Sequence, residues 1–322
     1  MRAEMTSVAV DRVDVDGEPA LGLVTLNRPD EMNPLDWDTV RELGRILDTL
    51  AADPTVRVIA ITGAGRAFSA GGDMKKYRTL QRDAQDFPQF LADIHEIFQR
   101  IPQYPKPVVA LVNGIAVAGG IELVLFCDFA FMAESARIGD AHLPYGQMGG
   151  GGVLTMLPRM IGPARARELI VTGRLLKAEE AMSWGLVSRI VPDGELVAAA
   201  AELTRDVSKK SPLALGHAKR TLNAAFFSGT DIDAGLRLER EVTARYCLTS
   251  ADAAEGLEAF AGKSTSMARS PSPNGRRIAC KSPVSKYSKR PDCAMRGTCF
   301  AEPPASVKSR GWVCALSNLC VH

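Results

Sequence analysis

The chain has 322 residues, 46% of them hydrophobic and 24% charged, with a formal net charge of +2. That is the balance of an ordinary globular protein with enough apolar residues for a large core. No apolar run reaches the roughly 18 residues that cross a bilayer. The start, Met1-Arg2-Ala3-Glu4-Met5, lacks the apolar core of a secretory signal, so a cytoplasmic protein is expected.

Residues 21 to 27 read as a strand that stops at Arg28-Pro29-Asp30, where proline removes a ladder donor. Asp36 is placed to cap a helix that carries Val40, Leu43, Ile46, Leu47 and Leu50 on one face,. Strand-like Val56 to Thr62 leads into a first glycine turn, Ala67-Phe68-Ser69-Ala70-Gly71-Gly72-Asp73. A helix over about 87–101 then precedes a second apolar run, Val108 to Val112. That run feeds a second glycine turn, Asn113-Gly114-Ile115-Ala116-Val117-Ala118-Gly119-Gly120-Ile121-Glu122-Leu123.

Residues 121–126 are helix-like and apolar apart from Glu122, and Cys127 to Met132 reads as a further buried strand. Strands alternating with helices give an α/β core. Beyond Gly162 the pattern turns helical, with short helices expected over 163–172 and 177–184. Longer ones follow over about 194–209, 212–227, 231–247 and 250–261, with Pro212 suited to a first turn,.

After about Gly262 the composition shifts to Ser, Pro, Arg and Lys without periodicity, and this tail is expected to be disordered. Residues 263–322 hold 11 Lys and Arg against 2 Asp and Glu, so the tail carries +9 and the body −7. Such a tail supports only nonspecific attraction to phosphate, because no nucleic-acid-binding motif accompanies it. Five of the seven cysteines lie there without a Cys-x-x-Cys spacing, so neither a metal site nor a disulfide framework is expected.

Glycine lets a backbone approach a ligand closely and adopt positive φ, so two such turns side by side can aim two N–H donors at one carbonyl oxygen. The apolar segment just beyond the second turn holds one carboxylate, Glu122, and a lone charge in such a segment calls for a specific role or partner.

With these motifs in view the chain resembles the crotonase family, the enoyl-CoA hydratases and isomerases. The residues that carry the resemblance are Leu26-Asn27-Arg28-Pro29, Ala67 through Met74, Asn113 through Leu123, Trp184-Gly185-Leu186-Val187 and Ile190-Val191-Pro192. It implies a spiral of ββα units over 7–192, a helical region over 193–262, and assembly as a homotrimer or homohexamer. It also implies an acyl-CoA substrate and no separate cofactor. The N–H groups of Gly72 and Gly119 would hold the thioester oxygen as it gains enolate charge, where losing one donor costs on the order of 3 kcal/mol. CoA contacts would run along Ala70, Gly72, Met74 and Lys75, with Asp73 beside them.

By the same resemblance Glu122 corresponds to the first of two catalytic glutamates, whereas the second is replaced by His142. An imidazole exchanges protons near neutrality, and Asp140 either orients it or caps the local turn. The sequence Gly149-Gly150-Gly151-Gly152 resembles the family's glycine-rich entry to the next helix, without the proline common at its start. It reads equally as a close approach to the acyl group or as a flexible turn. His95 and His217 are expected on helices away from these turns. Hydration leads, with isomerisation, carbon–carbon hydrolysis, decarboxylation, or weakly catalytic CoA or RNA binding as alternatives.

Overall fold

A computed structural model describes residues 6–229 and 231–261. The tail, 263–322, with its expected disorder, lies outside the described residues. The chain opens with an antiparallel hairpin, β1 (Val8–Val15) and β2 (Glu18–Leu26). Asp16 and Gly17 turn it at φ 58° and 86°, as an Asp-Gly hairpin turn requires. The sequence reading missed β1. Val8 and Val15 at its ends are buried, while Val10, Asp11, Arg12 and Asp14 between them are exposed, as befits a charged edge strand.

Helix α1 (Trp37–Ala52) follows the expected pattern. Asp36 accepts the N–H of Thr39, and Val40, Leu43, Leu47 and Leu50 are buried. Three strand pairs come next: β3 (Val58–Gly63) with β4 (Ala67–Ser69), β5 (Val108–Val112) with β6 (Ile115–Val117), and β7 (Phe129–Ala133) with β8 (Arg137–Gly139). The first member of each pair joins a six-stranded sheet ordered β1-β2-β3-β5-β7-β10, where β10 is Arg189–Val191. The second joins a four-stranded sheet ordered β4-β6-β8-β9, where β9 is Leu176–Lys177. Within the larger sheet every pairing from β2 to β10 is parallel. Its central strand β5 is buried at all five positions, which explains why it reads as continuously apolar.

Helices interleave with these strands: α2 (Met74–Leu80), α3 (Asp86–Arg100), α4 (Gly119–Phe126), α5 (Val153–Ile161), α6 (Pro163–Thr172) and α7 (Ala178–Ser183). The C-terminal helices are α8 (Leu196–Ser208), α9 (Pro212–Ser228), α10 (Ile232–Thr249) and α11 (Ala251–Ala261). Of these, α8 packs on the larger sheet, and α9 reaches the turn Ile101–Gln103 that follows α3. No residue of α10 or α11 is buried. Among the described residues no helix is long and apolar enough to cross a membrane.

Candidate active site

The two glycine turns leave the smaller sheet side by side. Asn113, just past β5, accepts the N–H of Gly63 at 3.1 Å and donates to the carbonyl of Gly65 at 3.0 Å, tying the ends of two strands together. Gly71 has φ 92°, and a Cβ there would lie 2.6 Å from Ala118 Cβ and 3.1 Å from Gly119 N. A Cβ on Gly120 would lie 2.4 Å from the carbonyl of Ser69. Glycine is therefore what lets the backbones touch.

Ala118, at φ 50°, is held by its N–H donating to the carbonyl of Asp140 at 2.9 Å, and α4 begins directly after it. The first N–H groups of a helix have no partner four residues back. Among the described residues neither Gly72 nor Gly119 gives its N–H to a protein acceptor.

Glu122 sits in the first turn of α4 and is only 4% exposed. Its Oε1 accepts the N–H of Gly151 at 2.7 Å and of Val153 at 3.3 Å. Burial raises its pKa above the usual glutamate value, against the pull of His142 and of the two backbone donors,. A Cβ at Gly151 would lie 2.4 Å from Glu122 Oε2, so a side chain there would push the carboxylate aside. From sequence alone the stretch 149–152 reads as a close approach to the acyl group or as a flexible turn. In the structure it closes on the carboxylate.

His142 follows β8, with Nδ1 2.7 Å from Oδ1 of Asp140, whose side chain is 1% exposed. The carboxylate accepts, so Nδ1 carries hydrogen and Nε2 is the nitrogen left to titrate. Burial lowers the imidazole's pKa, but the Asp140 hydrogen bond and the negative charge of Glu122 outweigh it, and the net shift is upward. A methyl group at Gly149 would stand 3.3 Å from Glu122 Oε1 and 3.4 Å from His142 Cε1. The two proton-exchanging groups thus flank one glycine.

A cavity of about 460 Å³ joins these parts, lined by Ala70, Gly72, Met74, Gly119, Glu122 and His142. Its remaining wall includes Leu35, Val40, Phe90, Ile94 and Phe98. Asp73 and Lys75 lie outside that lining. Asp73 caps α2, accepting the N–H groups of Lys75 and Lys76, and its other oxygen takes Arg28 Nη2 at 2.9 Å. Lys76 is largely exposed, but its ammonium binds Asp36 at 2.6 Å.

Two residues were missed as parts of this region. Arg28 donates to both Asp36, at 2.7 Å, and Asp73, so one guanidinium holds the caps of two helices. In the sequence it was visible only as part of the Leu-Asn-Arg-Pro motif. His95 is not away from the glycine-rich stretches as expected, because its Nε2 lies 2.7 Å from the carbonyl oxygen of Gly150. Among the described residues no group of three or more His, Cys, Asp or Glu is placed to hold a metal ion.

The family model for enoyl-CoA hydratase/isomerase matches residues 16–267. A putative enoyl-CoA hydratase from Thermus thermophilus is 38% identical over 241 residues, covering 74% of this chain and 94% of the relative. A crotonyl-CoA hydratase from Syntrophomonas wolfei is 33% identical over 257 residues, covering 80% and 97%. Among solved structures, an enoyl-CoA hydratase from Bacillus anthracis superposes with a TM-score of 0.74 at 34% identity, covering 81% of this chain and 98% of that one.

Proposed function

The chain belongs to the enoyl-CoA hydratase/isomerase family, and on that footing we propose that it adds water across the α,β double bond of an enoyl-CoA. The observation that carries this reading is the pairing of Glu122 with the Asp140-braced His142 on the wall of the cavity formed beside the two glycine turns. The apolar wall receives the acyl chain. The CoA portion runs past Ala70, Asp73, Met74 and Lys75, and CoA arrives as part of the substrate, so the scheme needs no separate cofactor.

In this scheme ionised Glu122 takes a proton from water as the water oxygen bonds to the β carbon. The electron pair of the double bond moves to the thioester oxygen, where the N–H groups of Gly72 and Gly119 stabilise the enolate. Protonated His142 then delivers a proton from Nε2 to the α carbon. Return of the proton from Glu122 to the imidazole resets the pair. Isomerisation is the second reading, favoured by the histidine that stands where the family has its second glutamate, because moving a double bond needs only one base.

Heavy-oxygen water separates the two. Hydration of crotonyl-CoA places the label on the β carbon of the hydroxyacyl product, whereas isomerisation of a β,γ-enoyl-CoA to the α,β isomer takes up no oxygen. Turnover of neither substrate overturns the proposal.

The scheme also fixes a pH dependence, since it requires Glu122 ionised and His142 protonated together. The kcat/KM for crotonyl-CoA is expected to be bell-shaped. The acidic limb lies above the usual glutamate range because burial raises Glu122. The alkaline limb lies above the usual imidazole range because the Asp140 bond and the charge of Glu122 overcome the downward pull of burial. The limbs belong to the coupled pair rather than to either residue alone. Activity that keeps rising beyond the imidazole range contradicts the role given to His142.

Assembly as a homotrimer or homohexamer completes the proposal. It is supported by the large apolar side chains left bare on the C-terminal helices, among them Ile232, Leu248 and Phe260, each at least 80% exposed,.

A further inference from the structure

We propose that His95 is a positioning residue that locks the Gly150–Gly151 peptide with its N–H aimed at Glu122. The inference rests on the proton-transfer role given to Glu122 above. His95 Nε2 is 2.7 Å from the carbonyl oxygen of Gly150, and the N–H of Gly151 is 2.7 Å from Glu122 Oε1. Those two groups belong to one peptide unit. A trans peptide is planar with C=O and N–H pointing in opposite directions, so a donor that fixes the oxygen also fixes the N–H. The carbonyl accepts, so Nε2 of His95 carries the hydrogen in this contact.

An external tie is needed here because the loop cannot stiffen itself. Glycine on both sides of a peptide lets the whole unit turn over with little steric penalty. Side chains that would restrict that motion would displace Leu91 or the carboxylate itself. A Cβ on Gly151 would lie 2.4 Å from Glu122 Oε2, and one on Gly150 would lie 2.9 Å from Leu91 Cδ2. A reversed peptide would present a carbonyl oxygen to a buried carboxylate instead of a donor, an unfavourable contact of like partial charges.

His95 is well mounted for the task. It stands on α3, which buries Phe90, Ile94, Ile97 and Phe98 in the core. Ile94 reaches the same loop, with Cγ2 3.3 Å from where a Gly151 Cβ would be. A donor on the carbonyl oxygen also polarises the peptide and strengthens its N–H as a donor to Glu122. His95 itself lines a second cavity of about 650 Å³ with Arg159, Asn223 and Phe227, so removing the imidazole would open its place to water. Water there can solvate the oxygen but cannot fix its direction.

The test compares His95→Ala, His95→Leu and His95→Gln with Glu122→Gln, using crotonyl-CoA. Loss of one directed hydrogen bond is expected to lower kcat about tenfold in the Ala and Leu variants, with KM within about twofold of the parent. The acidic limb of the kcat profile should move to higher pH, because the carboxylate loses a donor that favours its charged form. The Gln variant places an amide N–H where Nε2 stood and should recover most of the rate. A merely structural histidine would move neither the limb nor the Gln rescue.

Full activity with an unmoved limb in the Ala or Leu variant overturns the inference, as does a Gln variant as slow as Leu. If Glu122→Gln is inactive while the His95 variants match the parent, the positioning role alone falls. If Glu122→Gln is fully active, the reading of Glu122 falls first.

Discussion

Replacement of Glu122 by Gln is expected to lower kcat for crotonyl-CoA hydration by about a thousandfold, within the range general acid–base groups contribute. The amide oxygen of Gln can still accept the N–H groups of Gly151 and Val153 that Oε1 accepts now. The side chain therefore keeps its place but no longer takes a proton. Stability should be unchanged or slightly higher, because a buried group whose ionisation is resisted by desolvation becomes neutral,. The same variant should shift the titration of His142. Glu122's negative charge helps to raise the imidazole, so its removal lowers that pKa, visible as an imidazole titration displaced to lower pH by NMR. A variant that keeps a tenth or more of the parental kcat ends the case for Glu122 as the group that moves the proton.

The parts of this site that were legible in the sequence are those where a local oddity has one physical explanation. Paired glycines after apolar strands, and a carboxylate in an apolar segment, stand out because each is out of place unless the backbone must come close or the charge is used. Asp36 was legible for a similar reason, as a capping residue before an amphipathic stretch. What stayed hidden depends on groups brought together across the chain. The donors to Glu122 are backbone N–H groups about thirty positions away, which no side-chain type marks in the sequence. Arg28 looks like the end of a strand until the caps of two helices are seen around it. Helix α2 was overlooked because its seven residues bury none of their side chains and its capping acid lies inside what reads as a glycine turn.

The largest effect on stability is expected at Lys219, a residue with no part in the proposed chemistry. Its ammonium is 2.7 Å from Asp128 Oδ2 and donates to the carbonyls of Ile101 and Lys106 at 3.0 and 2.8 Å, with a side chain only 7% exposed. Asp128 in turn accepts the N–H of Val108 at 2.7 Å and the amide of Asn223. Burial pulls the ammonium's pKa down and pushes the carboxylate's up, and their mutual attraction opposes both shifts.

Lys219→Met keeps the apolar stem but strands a buried carboxylate, and breaking such a pair costs about 3–5 kcal/mol. The deficit should depend on pH with a definite sign. Without its partner, Asp128 has a folded-state pKa above its unfolded value, so the folded variant binds a proton more readily than the unfolded chain. The variant therefore gains stability relative to the parent as pH falls toward that raised pKa, and its deficit is greatest at neutral pH and above.

Urea unfolding midpoints across pH measure this directly. Adding Asp128→Asn, which removes the stranded charge and leaves an acceptor for Val108, should recover a large part of the loss. A single variant that costs less than about 1 kcal/mol at neutral pH would mean that the pair is solvated and that α9 is held by its apolar contacts alone. Those contacts are not negligible, since Phe227 of α9 stacks on Phe126 at 6.2 Å, at the end of the helix that carries Glu122. Loosening of α9 should consequently appear first as faster amide exchange over 212–228, before any change in the strands.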